Sequence, residues 1–85
     1  MNRIDWTSKA TKQLLKIRLA DVRQNVYDAV QVLVDFPNCS NVKALTEHDY
    51  GYRLRVGEWR VMFNFDGAIR IISVEEVRKR NERTY

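Results

Sequence analysis

The chain has 85 residues, enough for one domain with a modest core, and its hydrophobic fraction of 45% is that of a globular protein. Net charge is +4, and from Arg53 onward eight Arg/Lys stand against five Asp/Glu, so most of the excess lies in the last third. A basic end favours RNA, DNA or an acidic protein as partner. One cysteine, Cys39, excludes an internal disulfide framework and a thiolate metal cluster, as suits a reducing cytoplasm. No apolar run approaches membrane-spanning length and the first residues lack a signal-peptide core, so a cytoplasmic protein without a membrane partner is expected.

Ile4 and Trp6 alternate in Arg3 to Trp6, which predicts a short strand. Thr7-Ser8 offers an N-cap for a helix over roughly Lys9 to Arg18, with Leu14, Leu15 and Ile17 on or near its buried side. From Asp21 to Val34 the residues Val22, Val26, Ala29, Val30 and Leu33 form one apolar stripe at helical spacing. Valine is a mediocre helix former, so packing must hold this second helix. Phe36-Pro37-Asn38 ends it, and the two helices read as a hairpin.

Asn38 to His48 reads as polar connection anchored by Val42 and Leu45. From Tyr50 the period changes to two. Tyr52, Leu54 and Val56 alternate with Arg53 and Arg55, and Trp59, Val61, Phe63 and Phe65 alternate with Arg60, Met62 and Asn64. Each is a half-buried strand with one apolar and one polar face. Gly57-Glu58 between them makes a two-residue turn, pairing Val56 with Trp59 and Arg55 with Arg60. Asp66-Gly67 signals a second hairpin; a three-residue loop (Asp66-Gly67-Ala68) pairs Phe65 with Ile69 and Phe63 with Ile71, and places Arg70 on the face of Arg55 and Arg60. The order is β-α-α-β-β-β with a charged tail. The expected fold is a single α+β domain over residues 1–85, an antiparallel sheet with a helical hairpin on one face and arginines on the other.

Like charges directly opposite on a sheet are destabilising, so the Arg55–Arg60 pair needs a reason. Two solvated arginines covering apolar surface with their stems are one reading. An anion between them is the other, and phosphate matches two guanidinium forks. Arg53 shares the face. Lys79, Arg80 and Arg83 form a charged run interrupted by Glu75, Glu76 and Glu82, and Arg80 contributes only where the tail folds back beside the hairpin. Tyr85 could stack on a base, and cations around its phenol would favour the phenolate. His48 lies alone in a polar loop, and Cys39 has no evident base partner. Asp35, Glu47 and Asp49 have no metal-ligand spacing; no metal or cofactor is expected.

At Tyr52-Arg53-Leu54-Arg55-Val56, Glu58-Trp59-Arg60-Val61-Met62-Phe63, Ile71-Ile72-Ser73-Val74 and Lys79-Arg80-Asn81-Glu82-Arg83-Thr84-Tyr85 the sequence resembles the RelE-type toxins of bacterial toxin–antitoxin pairs, in the RelE/ParE superfamily. The resemblance implies a ribosome-dependent endoribonuclease that cuts mRNA in the A site of the 30S subunit by metal-free attack of the ribose 2′-hydroxyl, restrained by a cognate antitoxin. It matches Arg53, Arg55, Arg60, Arg80 and Tyr85 to family site positions; catalysis is expected at Arg55, Arg60, Arg80 and Tyr85 and RNA contact at Arg53, while the strand face and the charged run add Arg70, Lys79 and Arg83 as expected RNA contacts. Arg53 and Arg55 stand where relatives carry lysines. Arginine is a poor proton donor or acceptor but can stabilise charge on a phosphorane. The alternative is a ParE-like, non-nuclease poison of DNA gyrase; a small RNA-binding module fits less well, because the sheet shows few exposed aromatics.

Overall fold

The structure, a computed structural model, describes residues 1–80. Its elements are β1 (Arg3–Trp6), α1 (Ser8–Leu15), α2 (Ala20–Gln31), a 3-10 turn (Val32–Asp35), β2 (Val42–Ala44), β3 (Tyr52–Val56), β4 (Trp59–Asp66) and β5 (Ile71–Lys79). The five strands form one sheet in the order β1-β5-β4-β3-β2. The α+β layering matches the expectation from sequence, but the sheet is mixed: β1 runs parallel to β5 while the other pairs are antiparallel. No described helix is long and apolar enough to cross a membrane.

Thr7 caps α1, its hydroxyl accepting from the Ala10 amide at 3.1 Å. The helix stops at Leu15, short of the expected Arg18, and Leu15 is 65% exposed instead of buried. Ile17 still reaches the core through the turn that follows. The stripe on α2 behaves as its spacing requires: Val26, Val30 and Leu33 are buried, with Val22 and Ala29 packed at the margin. Its last turn tightens into 3-10 geometry, which keeps Leu33 inside and turns Val32 out. Asn2 is a buried polar residue tying the start of β1 to this segment, its side-chain amide donating to the carbonyls of Leu33 (3.1 Å) and Phe36 (2.8 Å).

One sheet face, carrying Leu54, Val61, Phe63, Ile72, Val74 and Val77, packs on Ala10 and Leu14 of α1, on Ile17 after it and on the α2 stripe. Beyond Val74, β5 outruns its pairing with β1, and Gln13 of α1 takes the Val77 amide at 2.7 Å, so the open edge is covered. The segment expected as plain connection contains β2, which adds Val42–Ala44 to the outside of β3.

The β4–β5 register differs from the expected one. Phe65 opposes Ile72 and Phe63 opposes Val74, with Asp66 and Ile71 closing the pair across four residues. The longer connection leaves Ile69 64% exposed and puts Arg70 at φ 56, at the end of the loop. Apolar continuity decides the register: Ile72 and Val74 both reach the core, which Ile69 and Ile71 could not match. Farther along, Met62 opposes Glu76 while Phe63 opposes Val74, so Glu75 is an extra residue, a bulge. Without it, Val74 and Val77, three apart, could not face the same side.

Candidate functional site

Gly57, at φ 57, supplies the left-handed backbone that a tight β3–β4 turn asks of its first residue. The turn fixes the register, Val56 opposite Trp59 and Arg55 opposite Arg60. Core-facing Leu54, Val56, Trp59 and Val61 leave Arg53, Arg55 and Arg60 no side but the other one. At the end of β5 the amide of Arg80 donates to the Glu58 carbonyl, which extends the β4–β5 pairing and brings Arg80 beside the hairpin turn. The result is a polar cavity of about 230 Å³ lined by Arg53, Arg55, Gly57, Trp59, Arg60 and Arg80.

None of these four arginines is ion-paired among the described residues, whose ion pairs are Arg3–Asp5, Lys9–Glu76 and Arg78–Glu76. The Arg53 Nε is buried and makes no hydrogen bond among the described residues. A donor so placed carries a desolvation cost of about 1–3 kcal/mol, and like charges face one another across the strands. The arrangement suits a compact anion with several oxygens, which guanidinium forks grip two at a time.

The other nominated residues divide. Arg70, expected on the same face, lies in the β4–β5 connection, lines a separate cavity with Met1 and Phe36–Asn38, and gives its carbonyl to the Arg3 amide at 2.9 Å. The four-residue loop, not the expected three-residue one, carries it away. Lys79 opposes Trp59 and borders a groove with Ile17, Leu19 and Val22, on the core side of the sheet rather than in the arginine cavity. Arg83 and Tyr85 lie outside the described residues. Cys39 sits where burial, reinforced by the Asp35 carboxylate, pushes its thiol pKa up, which keeps the thiol a poor nucleophile.

Sequence reasoning missed Arg78 and Glu76. Arg78 opposes Arg60, extending the row Arg55–Arg60–Arg78 over three strands. Glu76, only 4% exposed, accepts from Arg78 Nε at 2.7 Å and pairs with Lys9 of α1 at 3.5 Å. Burial alone would raise the pKa of its carboxyl, but the Tyr50 phenol, Arg78 and Lys9 outweigh it and the pKa lies below the usual 4.5. The same carboxylate, with burial, pushes the Tyr50 phenol up to about 12. A period-two count from Val77 places Glu76 and Arg78 on the arginine face; the charge run hid that signal.

The two shifts predict a stability–pH profile with two linked limbs. A lowered folded pKa contributes stability that is present above pH 4.5 and lost as pH falls through the folded value. A raised one is neutral in effect below pH 10 and costs stability as pH climbs from 10 toward 12. In urea titrations across pH, Glu76→Gln should flatten the acid limb and weaken the alkaline one, whereas Tyr50→Phe should chiefly flatten the alkaline limb. Acid limbs that superimpose for parent and Glu76→Gln would remove the linkage.

A second expectation concerns the opposed pair. Arg55→Thr, which suits a strand, should raise stability by about 0.5 kcal/mol at low ionic strength, with the gain shrinking in high salt. Equal loss of stability at both salt concentrations would mean that the Arg55 stem, not its charge, matters to the fold.

No protein-family model and no curated protein matches the sequence. Comparison of structures does find similar folds. The archaeal RelE of the RelE–RelB complex from Pyrococcus horikoshii OT3 superposes with a TM-score of 0.79 at 17% identity, covering 96% of this chain and 98% of that one. The RelBE2 toxin–antitoxin complex from Mycobacterium tuberculosis gives 0.77 at 16% identity, covering 93% and 98%. The isolated E. coli RelE toxin gives 0.77 at 17% identity, covering 99% and 88%. Layering, element order and nearly the full length of each chain are shared, and the fold of this protein is that of the RelE-type toxins.

Proposed function

We propose that this chain is the toxin of a toxin–antitoxin pair and a ribosome-dependent mRNA endoribonuclease. One observation carries the reading: four arginines from β3, β4 and the end of β5 surround one polar cavity with no carboxylate partner among the described residues. The shared fold adds support, since neighbours include toxins solved in complex with an antitoxin. A cognate antitoxin would neutralise this cationic face.

In this mechanism a backbone phosphate of mRNA, presented in the 30S A site, enters the cavity. The ribose 2′-hydroxyl loses its proton as its oxygen attacks the adjacent phosphorus, the bond to the 5′-oxygen of the next nucleotide breaks, and that oxygen takes up a proton from solvent, so the products are a 2′,3′-cyclic phosphate and a 5′-hydroxyl. Arg55 and Arg60 hold the non-bridging oxygens and stabilise the charge that grows on them, typically the largest catalytic contribution. Arg80 supports the departing 5′-oxygen. Tyr85 stacks on a substrate base and takes part in proton removal, and Arg53 and Arg83 add contacts to neighbouring phosphates.

The test is induced expression followed by mapping of message ends, with and without assembled ribosomes. Cuts at codon-phased sites that require ribosomes support the nuclease. Intact messages with supercoiling defects would replace it with the gyrase-poison reading.

A further inference from the structure

The loop that leads into β3 is not used by the catalytic scheme. The Leu45 amide donates to the Gly51 carbonyl at 2.8 Å, closing the loop, and the Gly51 amide donates to Asn64 Oδ1 at 2.7 Å. Asn64 sits on β4 between core-facing Phe63 and Phe65, so it projects to the arginine face and draws the loop onto it. The Tyr50 amide donates to His48 Nδ1 at 3.1 Å, leaving Nε2 to carry the proton of the neutral ring, and the two rings lie 5.9 Å apart with planes tilted by 46°.

Tyr50 reaches Glu76, whose strand neighbour is Met62, whose neighbour in turn is Arg53. Two strand spacings, about 10 Å, separate the backbone positions of Arg53 and of Glu76, the residue that the Tyr50 phenol reaches. Glu76 also grips Arg78 and Lys9, so the phenol rests on a fixed base. His48 is exposed, and on the far side Lys43 opposes Arg53.

We infer that His48 and Tyr50 form a nucleobase subsite, taking the base of the nucleotide next to the phosphate held by the arginines. Rings set beside a cationic row are what single-stranded RNA uses, phosphate on guanidinium and base on an aromatic face. Tyr50 stays a neutral phenol at physiological pH, so it brings no negative charge next to the phosphate. The subsite rests on the phosphate reading of the cavity.

The experiment measures binding, at low salt, of a short single-stranded oligoribonucleotide and of an abasic oligoribonucleotide of equal length. Tyr50→Ala and His48→Ala should each weaken binding of the first by about tenfold and leave the second unchanged. Tyr50→Phe, which keeps the ring and loses the hydroxyl, should bind like the parent. His48 is exposed, so its variant reports on binding even where Tyr50→Ala perturbs the loop. Equal losses on both ligands, or none on either, would overturn the subsite. A parent protein that binds both ligands equally removes the subsite alone, whereas one that binds neither removes the phosphate reading and the subsite with it.

Discussion

On the proposed nuclease reading, Arg60→Ala is expected to lower ribosome-dependent message cleavage by roughly a hundred- to a thousandfold, the usual cost of removing one donor aimed at developing charge. Arg60 is the hub of the cationic row, with Arg55 on one side and Arg78 on the other, and it lines the cavity with Arg53, Arg55 and Arg80. Its side chain projects from the face opposite the core, so truncation creates no cavity among packed residues and relieves two like-charge contacts. Activity should therefore collapse while the melting temperature holds or rises. Arg60→Lys separates charge from shape: it keeps the point charge and loses the planar fork, so recovery should be partial. The readout is single-turnover cleavage on programmed ribosomes, beside a thermal melt of each variant. Cleavage at the parental rate by Arg60→Ala would remove this residue from the scissile phosphate. A matching fall in melting temperature would turn the loss of activity into a folding effect.

The opposed arginines were legible in the sequence because three local rules act together there. Alternation sets which residues share a face, the Gly57-Glu58 turn is too short to allow more than one register, and apolar partners fix that register. Element types were legible for the same reason wherever a period ran for five residues or more. Features that depend on remote partners were not. β2 is three residues long and gains strand character only from β3 beside it, and β1 lies along β5, a partner from the far end of the chain that no local pattern names.

Glu76 shows the limit most clearly. In a run of charges it resembles a solvated side chain, and it becomes a buried carboxylate because Lys9 from α1 and Tyr50 from the loop before β3 converge on it. The bulge at Glu75 sets its side, and no local signal marks a bulge between two glutamates. Arg70 failed for the complementary reason. Its expected place assumed a three-residue loop, and apolar pairing of Phe65 with Ile72 demanded a longer one. The site's arginines on β3 and β4 could be read locally, whereas Arg80 depends on one backbone hydrogen bond to Glu58.

The largest effect on stability is expected from Phe63→Ala. Phe63 is 0% exposed at the centre of the sheet's inner face, with Phe36 edge-on at 5.4 Å between ring centroids and Tyr52 stacked at 5.4 Å. Phe36 also meets Tyr52 at 4.9 Å and Phe65 at 5.0 Å, so removing the Phe63 ring opens a cavity against an interlocked set that cannot collapse into it. Aromatic-to-alanine truncations in such settings cost about 3–5 kcal/mol, and for a domain of this size that lowers the melting temperature by roughly 15–30 °C. A domain stable by about 5–15 kcal/mol would lose a large part of its margin. Phe63→Leu, which refills much of the volume, should cost well under half as much. The same strand holds Arg60 on its other face, so Phe63→Ala should also loosen the arginine cavity, and anion binding should weaken alongside the melt. Arg60→Ala should do the reverse, losing the anion and keeping the fold. Were Phe63→Ala to melt within a few degrees of the parent, the inner face of β4 would not be the centre of the core, and the register that puts Arg60 in the cavity would fail with it.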